Sequence, residues 1–309
     1  MSTSQDRPQI LSLGVRPIAA CAVLLVFCLA AGRTVHSYLV RRDIVSAGGT
    51  IREDRGASGF GLSAEEVQFA DRPVSSRQIQ ALTALRQIRV LHLTACEIRV
   101  GTDPDRLPTV ESIVLDQCRL DRDFIELLAS WRSLRTVAMR RMTLSDEHCL
   151  DLARLEQIET LIVSESELGA KGMIELRRLP RLKTFVARES NIASDSFAGV
   201  STSPGLEVIE VACSDLTDAV MEHIRLSGTV RVLDISGNPI SAGGASLLSR
   251  CDSLRYLDVS GTAIGCSQLR DVTFPRGMET LVCQCADVDG LSGRFPTLRI
   301  REGWRTCED

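Results

Sequence analysis

Apolar residues recur along this chain with a stagger that keeps its phase from residue 64 almost to the end. In Val230-Arg-Val-Leu-Asp-Ile-Ser-Gly-Asn-Pro-Ile240 they fall at Val230, Leu233, Ile235 and Ile240, with Asn238 between the last two. A step back of 24 residues meets Leu206, Ile209, Val211, Ser214 and Leu216, and a second meets Leu182, Phe185, Ala187, Ser190 and Ile192. The same step then gives Ile158, Leu161, Val163, Ser166, Leu168 and, before them, Leu134, Val137, Met139, Met142, Leu144. Forward of Ile240 come Leu254, Leu257, Val259, Thr262 and Ile264. Units begin at 64, 88, 110, 134, 158, 182, 206, 230, 254 and 278, every step being 24 except the one of 22 after residue 88. The first copy, with Val67, Phe69 and Val74, is the weakest. Such self-similarity is the signature of a repeat architecture.

Within a unit, alternation such as Leu233-x-Ile235 predicts a short strand with one buried face. The slot held by Asn238, Ser214, Ser190 or Ser166 predicts an inward bend, where a small polar side chain pairs backbone groups that the bend leaves open. Apolar residues then recur at steps of three, as in Ile79, Leu82, Leu85 or Met173, Leu176, Leu179, which suits one face of a helix. Ser145-Asp146 and Thr217-Asp218 stand where helix N-caps belong. No unit can bury its apolar stripe alone, so neighbours must stack into a curved solenoid, strands on the concave side and helices on the convex side. At about 4.8 Å per strand step, about ten units make a ladder on the order of 45 Å long.

The pattern L-x-x-L-x-L-x-x-N/C-x-L resembles the leucine-rich repeat, and the match runs from 64 to 297. The resemblance implies an α/β repeat solenoid and, as its usual use, macromolecular recognition on the concave face. The expected organisation is an N-terminal flank (1–16), an apolar segment (17–32), a juxtamembrane helix and linker (33–63), the repeat domain (64–297) and a C-terminal cap (298–309).

Pro17 to Gly32 is uncharged and mostly apolar, bounded by Arg16 and Arg33. It is slightly short for a membrane helix, and snorkelling arginines close the gap. An uncleaved anchor is expected because the helix-like pattern continues through Tyr38-Leu39-Val40; the rival is a signal peptide cleaved after Cys28-Leu29-Ala30. Arg7 and Arg16 before the segment, against Arg33, Arg41 and Arg42 after it, lean toward an internal C-terminus, whereas the signal-like character leans outward. Val35 to Ala47 predicts a short helix stopped by Gly48-Gly49, followed by a strand at Thr50-Ile51-Arg52. This arrangement resembles membrane-anchored bacterial leucine-rich repeat proteins, especially those of planctomycetes. Arg55 to Gly61 is glycine-rich but lacks the Lys-Ser/Thr of a phosphate loop and reads as a linker.

The formal net charge of -4 argues against a nucleic-acid surface. Eleven cysteines invite a metal or disulfide reading. The repeat phase instead places Cys96 and Cys118 in the Asn slot, Cys149 and Cys251 on helix core positions, and Cys283 in the strand core, as small buried hydrophobes. Cys21 and Cys28 lie in the apolar segment. Cys213, Cys266, Cys285 and Cys307 remain, and a disulfide near the C-terminus is one use for them; Cys283-x-Cys285 lacks a second pair at zinc spacing. His36, His92, His148 and His223 sit at different offsets and do not cluster. No nucleophile elbow, zinc-protease helix or calcium loop occurs. No cofactor, metal site or catalytic residue is expected.

Strand residues pointing away from the core are the candidate partner-binding set: His92, Asp116, Arg140, Arg188, Glu210, Asp234, Tyr256 and Asp258. Glu210, Asp234 and Asp258 share one offset in three successive units, a column of carboxylates about 5 Å apart that attracts a basic partner or a cation. The alternative is that Leu-Asp-Val/Ile-Ser is ordinary repeat consensus, solvated and inert. The function expected is a non-enzymatic, membrane-tethered module that binds a protein. Its alternatives are an intracellular adaptor similar to the repeat subunits of ubiquitin ligases, whose F-box is missing here, an arginine-using GTPase activator, and a structural spacer.

Overall fold

The computed structural model describes residues 38–53, 63–99, 109–201, 203–226 and 228–303. The apolar segment 17–32, the linker 55–61, His36 and Cys307 lie outside them, and no described helix is long and apolar enough to cross a membrane. Among the described residues, twelve strands form one sheet in chain order. Only the first pair, Thr50–Glu53 with Ser63–Ala70, is antiparallel; the rest are parallel. Leu233, Leu257 and Leu281 stand in register on three consecutive strands and are fully buried. One hydrophobic cluster runs without a break from Val40 to Leu298. The architecture is thus a parallel sheet backed by helices, an α/β repeat stack.

Strand length falls along the chain. Ser63–Ala70 and Gln87–Thr94 have eight residues and Val110–Asp116 seven, whereas Thr160–Ile162 and the next four have three. On the opposite side the early turns add a three-stranded sheet of Pro73–Ser75, Glu97–Arg99 and Arg119–Leu120. Short helices lie there as well, from Ser76–Leu82 and Arg122–Ser130 in the early turns to Asp146–Leu152, Ala170–Glu175 and Ala242–Leu247 in the later ones. Their predicted inner residues, Met173, Leu176 and Leu179 among them, are fully buried.

Two columns of groups hold the bend after each strand. Asp71, Ala95, Gln117, Arg141, Glu165, Glu189, Cys213, Gly237 and Gly261 all adopt φ between +50° and +66°. From Asp71 to Gly237 this left-handed conformation turns each N–H toward the next turn: Glu165 N donates to Arg188 O at 2.8 Å, and Gly237 N to Ser260 O at 2.8 Å. The cost at a non-glycine residue is about 1–2 kcal/mol, offset by that cross-turn bond. Inside the bend runs the slot. Asn238 Oδ1 accepts from Ser214 N and Leu216 N, and Nδ2 donates to Val211 O, Ile235 O and Ser236 O. Ser214 Oγ donates to Ala187 O and accepts from Ser190 N, and Ser190 Oγ repeats this toward Val163 O and Ser166 N. Earlier, thiols stand in: Cys118 Sγ donates to Leu93 O at 3.1 Å and Cys96 Sγ to Phe69 O at 3.5 Å.

The cap residues do more than expected. Ser145 caps its own helix, accepting from His148 N at 3.3 Å. Asp146 instead reaches the next turn, where Oδ1 accepts from Gly172 N at 2.9 Å. Asp218 accepts from Ser241 N and Ser241 Oγ at 2.7 and 2.6 Å. These carboxylates join neighbouring helices rather than capping one.

Cys266 and Cys285 form a disulfide with Cα atoms 5.4 Å apart, tying two consecutive turns near the C-terminus. Cys213 is also disulfide-bonded. Cys96, Cys118, Cys149, Cys251 and Cys283 are free thiols and buried. The last described strand, Arg299–Glu302, pairs with Thr280–Cys283 but is largely exposed, its arginines replacing apolar residues.

Candidate functional site

The register sorts the predicted face residues into three parallel columns rather than one patch. The central column reads Gln68, His92, Val114, Ala138, Ile162, Val186, Glu210, Asp234, Asp258, Val282 and Arg301, each side chain one strand from the next. His92, Glu210, Asp234 and Asp258 therefore belong together. Asp116 and Arg140 are paired one column over, two residues further along their strands, where Arg188 follows Val186. Tyr256 stands on the other flank, in a column with Thr136, Thr160, Thr184, Val208 and Val232.

The acidic column differs from its sequence-based picture. Arg188 Nη2 lies 2.7 Å from Glu210 Oε2 and 3.6 Å from Asp234 Oδ2, so a cation already bridges two of the three carboxylates. Asp234 is buried and accepts from Ser236 N and Oγ. Asp258 repeats that turn with Ser260 N and Oγ. The sequence Asp-x-Ser is thus a local backbone brace, and the column's excess charge is smaller than three adjacent acids suggest. Tyr256 is pushed above the usual phenol range by burial and then by Asp258 and Asp234.

Elsewhere on the face, His92 Nε2 faces Glu66 Oε1 at 3.3 Å, and Glu66 also meets Arg52 at 3.0 Å. Asp116 is held by Arg141, whose guanidinium reaches back from the bend in a two-point contact. Arg140, by contrast, is exposed.

Four consecutive members of the central column, Val114, Ala138, Ile162 and Val186, form an apolar stripe on the outward side of the sheet. Val114, Ile162 and Val186 are half-buried and Ala138 buried. Arg140 and Arg188 edge it on one side and the threonines at 136, 160 and 184 on the other. A charge-weighted reading of the repeats passes over this stripe. Its signal was present: at this offset four successive units carry Val, Ala, Ile and Val where the next three carry Glu or Asp.

Among the described residues no three His, Cys, Asp or Glu side chains converge on a metal position. Burial pushes the Cys149 and Cys283 thiols up to about 11, which keeps them protonated and poor nucleophiles. The neighbouring Cys118 thiol holds Cys96 down to about 7, but this pair is closed to solvent in the slot. His148 is consumed in the Ser145 cap, where its Nδ1 accepts from Ser145 N at 3.2 Å.

Residues 227–249 match the family model of the leucine-rich repeat. Among solved structures, an internalin from Listeria monocytogenes strain 4b F2365 is similar at 12% identity, covering 86% of this chain and 94% of that one with a TM-score of 0.47. No curated protein matches the chain. The matched repeat and the parallel sheet backed by helices make the fold leucine-rich-repeat-like.

Proposed function

We propose that this protein is a membrane-tethered, non-catalytic scaffold that captures a protein partner on its strand face. The observation that carries the reading is the stripe Val114–Ala138–Ile162–Val186, an apolar centre with a charged edge. Protein interfaces favour that layout, a desolvated core within a polar rim. The face is a preformed sheet, so binding orders little backbone. Around the stripe, Arg140 is the exposed cation and favours an acidic group on the partner, while Arg188, Glu210 and Asp234 offer a compensated cluster. Asp116 edges the stripe beside Arg140, and His92, Tyr256 and Asp258 lie further along the same face and set its polarity.

The Cys266–Cys285 disulfide favours an oxidising compartment for the repeats. Segment 17–32 then acts as the tether that carries the chain there. We give a purely structural role second place, because a spacer has no use for apolar residues on its outward strand face.

The test is a photoreactive amino acid placed at Ile162 in the full chain, with Leu150 on the helix side as the comparison. A saturable adduct with one protein at Ile162 and none at Leu150 is the expected result. Equal adducts at the two positions, or none at Ile162 in the native membrane, would end the proposal.

A further inference from the structure

Five large hydrophobic side chains are exposed among the described residues: Tyr38 at 66%, Leu39 at 39%, Val45 at 54%, Leu150 at 41% and Ile174 at 37%. The first three share one short helix, described over 38–46, so the exposure is concentrated at one end of the stack. Val40 and Ile44 on the same helix are buried in the common core. Ile44 and the Phe69 ring crowd Gly49, where an added Cβ would come within 3.0 Å of the first and 2.8 Å of the second. The helix is therefore packed firmly on the end of the sheet through one side. Its other side carries Tyr38, Leu39, Arg42, Val45 and Ser46, at helical steps of three and four.

A terminal cap of a repeat stack keeps its outer face polar when that face meets water. This one does not. Its basic groups are only loosely engaged: Arg41 lies 3.4 Å from Glu53 and Arg42 3.2 Å from Asp43, both pairs exposed. Such pairs contribute little and yield readily to other anions. The apolar run ends at Gly32, six residues before Tyr38. Six residues reach at most about 20 Å, so a bilayer holding that run lies within reach of this outer face.

We propose that the outer face of helix 38–46 docks on the polar–apolar boundary of a bilayer containing anionic phospholipid. Tyr38, Leu39 and Val45 enter the headgroup–acyl boundary, and Arg41 and Arg42 meet lipid phosphates. Interfacial tyrosine and snorkelling arginine suit that depth. The end of the sheet is then moored against the membrane, and successive turns stack away from it. This inference rests on the tether reading above, deepening it from a leash to a fixed mount.

The experiment uses the full chain reconstituted into phosphatidylcholine vesicles with or without phosphatidylglycerol. An environment-sensitive fluorescent amino acid replaces Val45 in one preparation and Leu150 in another, with brominated acyl chains as quencher. Position 45 is expected to shift to the blue and lose emission to the brominated lipid, more so with phosphatidylglycerol, while position 150 keeps its aqueous spectrum. Arg41→Glu with Arg42→Glu should remove the phosphatidylglycerol dependence. If the chain floats with the vesicles but position 45 stays unquenched, the tether stands and the docking is overturned. If the chain does not float at all, the tether reading fails as well. A blue shift at position 45 without quenching, as when a second copy or another protein covers the helix, also overturns the proposal.

Discussion

The first three parallel strands and the later three-residue strands solve one problem by different means. Both must fasten each turn to the next across about 4.8 Å. Near the N-terminus the backbone does it: strands of seven and eight residues share long ladders, and a second small sheet joins the turns on the far side. There the slot needs only the thiols of Cys96 and Cys118, which bond weakly. From Thr160 on, the backbone ladder shrinks and side chains take over. Asn238, Ser214, Ser190 and Ser166 stitch the inside of the bend, and Asp218 and Asp146 stitch the helix side. Where main-chain pairing is short, polar side chains become structural.

The contrast makes unequal predictions for equivalent positions. Asn238→Ala strands two amides and three carbonyls in a buried bend and should cost about 4 kcal/mol, whereas Cys118→Ala, at the corresponding slot, should cost about 1 kcal/mol. Urea denaturation of both variants measures this, and equal losses would dissolve the distinction. Replacing Cys266 and Cys285 by serine opens a loop of 19 residues and should cost about 3 kcal/mol. Wild-type protein in reductant should lose at least as much, because the Cys213 disulfide opens as well. Gly261→Ala places a side chain at φ +66° and should cost about 1 kcal/mol, while Glu165→Gly relieves the same strain at an exposed site and should gain about 0.5 kcal/mol. Thermal melts separate the two signs.

The smallest effect is in acid. Burial pushes the Asp218 carboxyl up, but hydrogen bonds from the Ser241 hydroxyl, Ser241 N and Gly244 N outweigh it and hold the group below its usual range. A carboxyl lowered on folding adds stability that is complete above its unfolded pKa of about 3.9 and is lost as pH falls through the folded value. Asp218→Asn should therefore flatten the loss of melting temperature below about pH 4. Should that variant keep the full acid slope, the helix-side stitch is not an ionic one.

Much of this was legible in the chain because burial repeats every 24 residues and burial dominates folding. Leu233, Leu257 and Leu281 are fully buried as their phase requires, and Asn238 occupies the bend its spacing implies. The left-handed column was hidden because glycine marks it only at 237 and 261, whereas Arg141, Glu165 and Glu189 pass for ordinary surface residues. The Arg188 bridge was hidden for another reason. Its partners lie 22 and 46 positions away, and only the register brings them within one side-chain length. The apolar stripe of Val114, Ala138, Ile162 and Val186 lacked any local motif, since Val and Ile are ordinary strand formers and the lone Ala draws no attention.

A stack whose turns touch only their neighbours comes apart like a zip, from whichever end is loose. Here the far end carries a sulfur clasp between Cys266 and Cys285, and the near end is plugged by the helix that seats Val40 and Ile44. Beyond the clasp the exposed strand Arg299–Glu302 can still peel away, but further unravelling has to start by opening a gap within the row, between two turns that each still have a neighbour on the other side. Load arriving through a captured partner would thus be met by the whole row together.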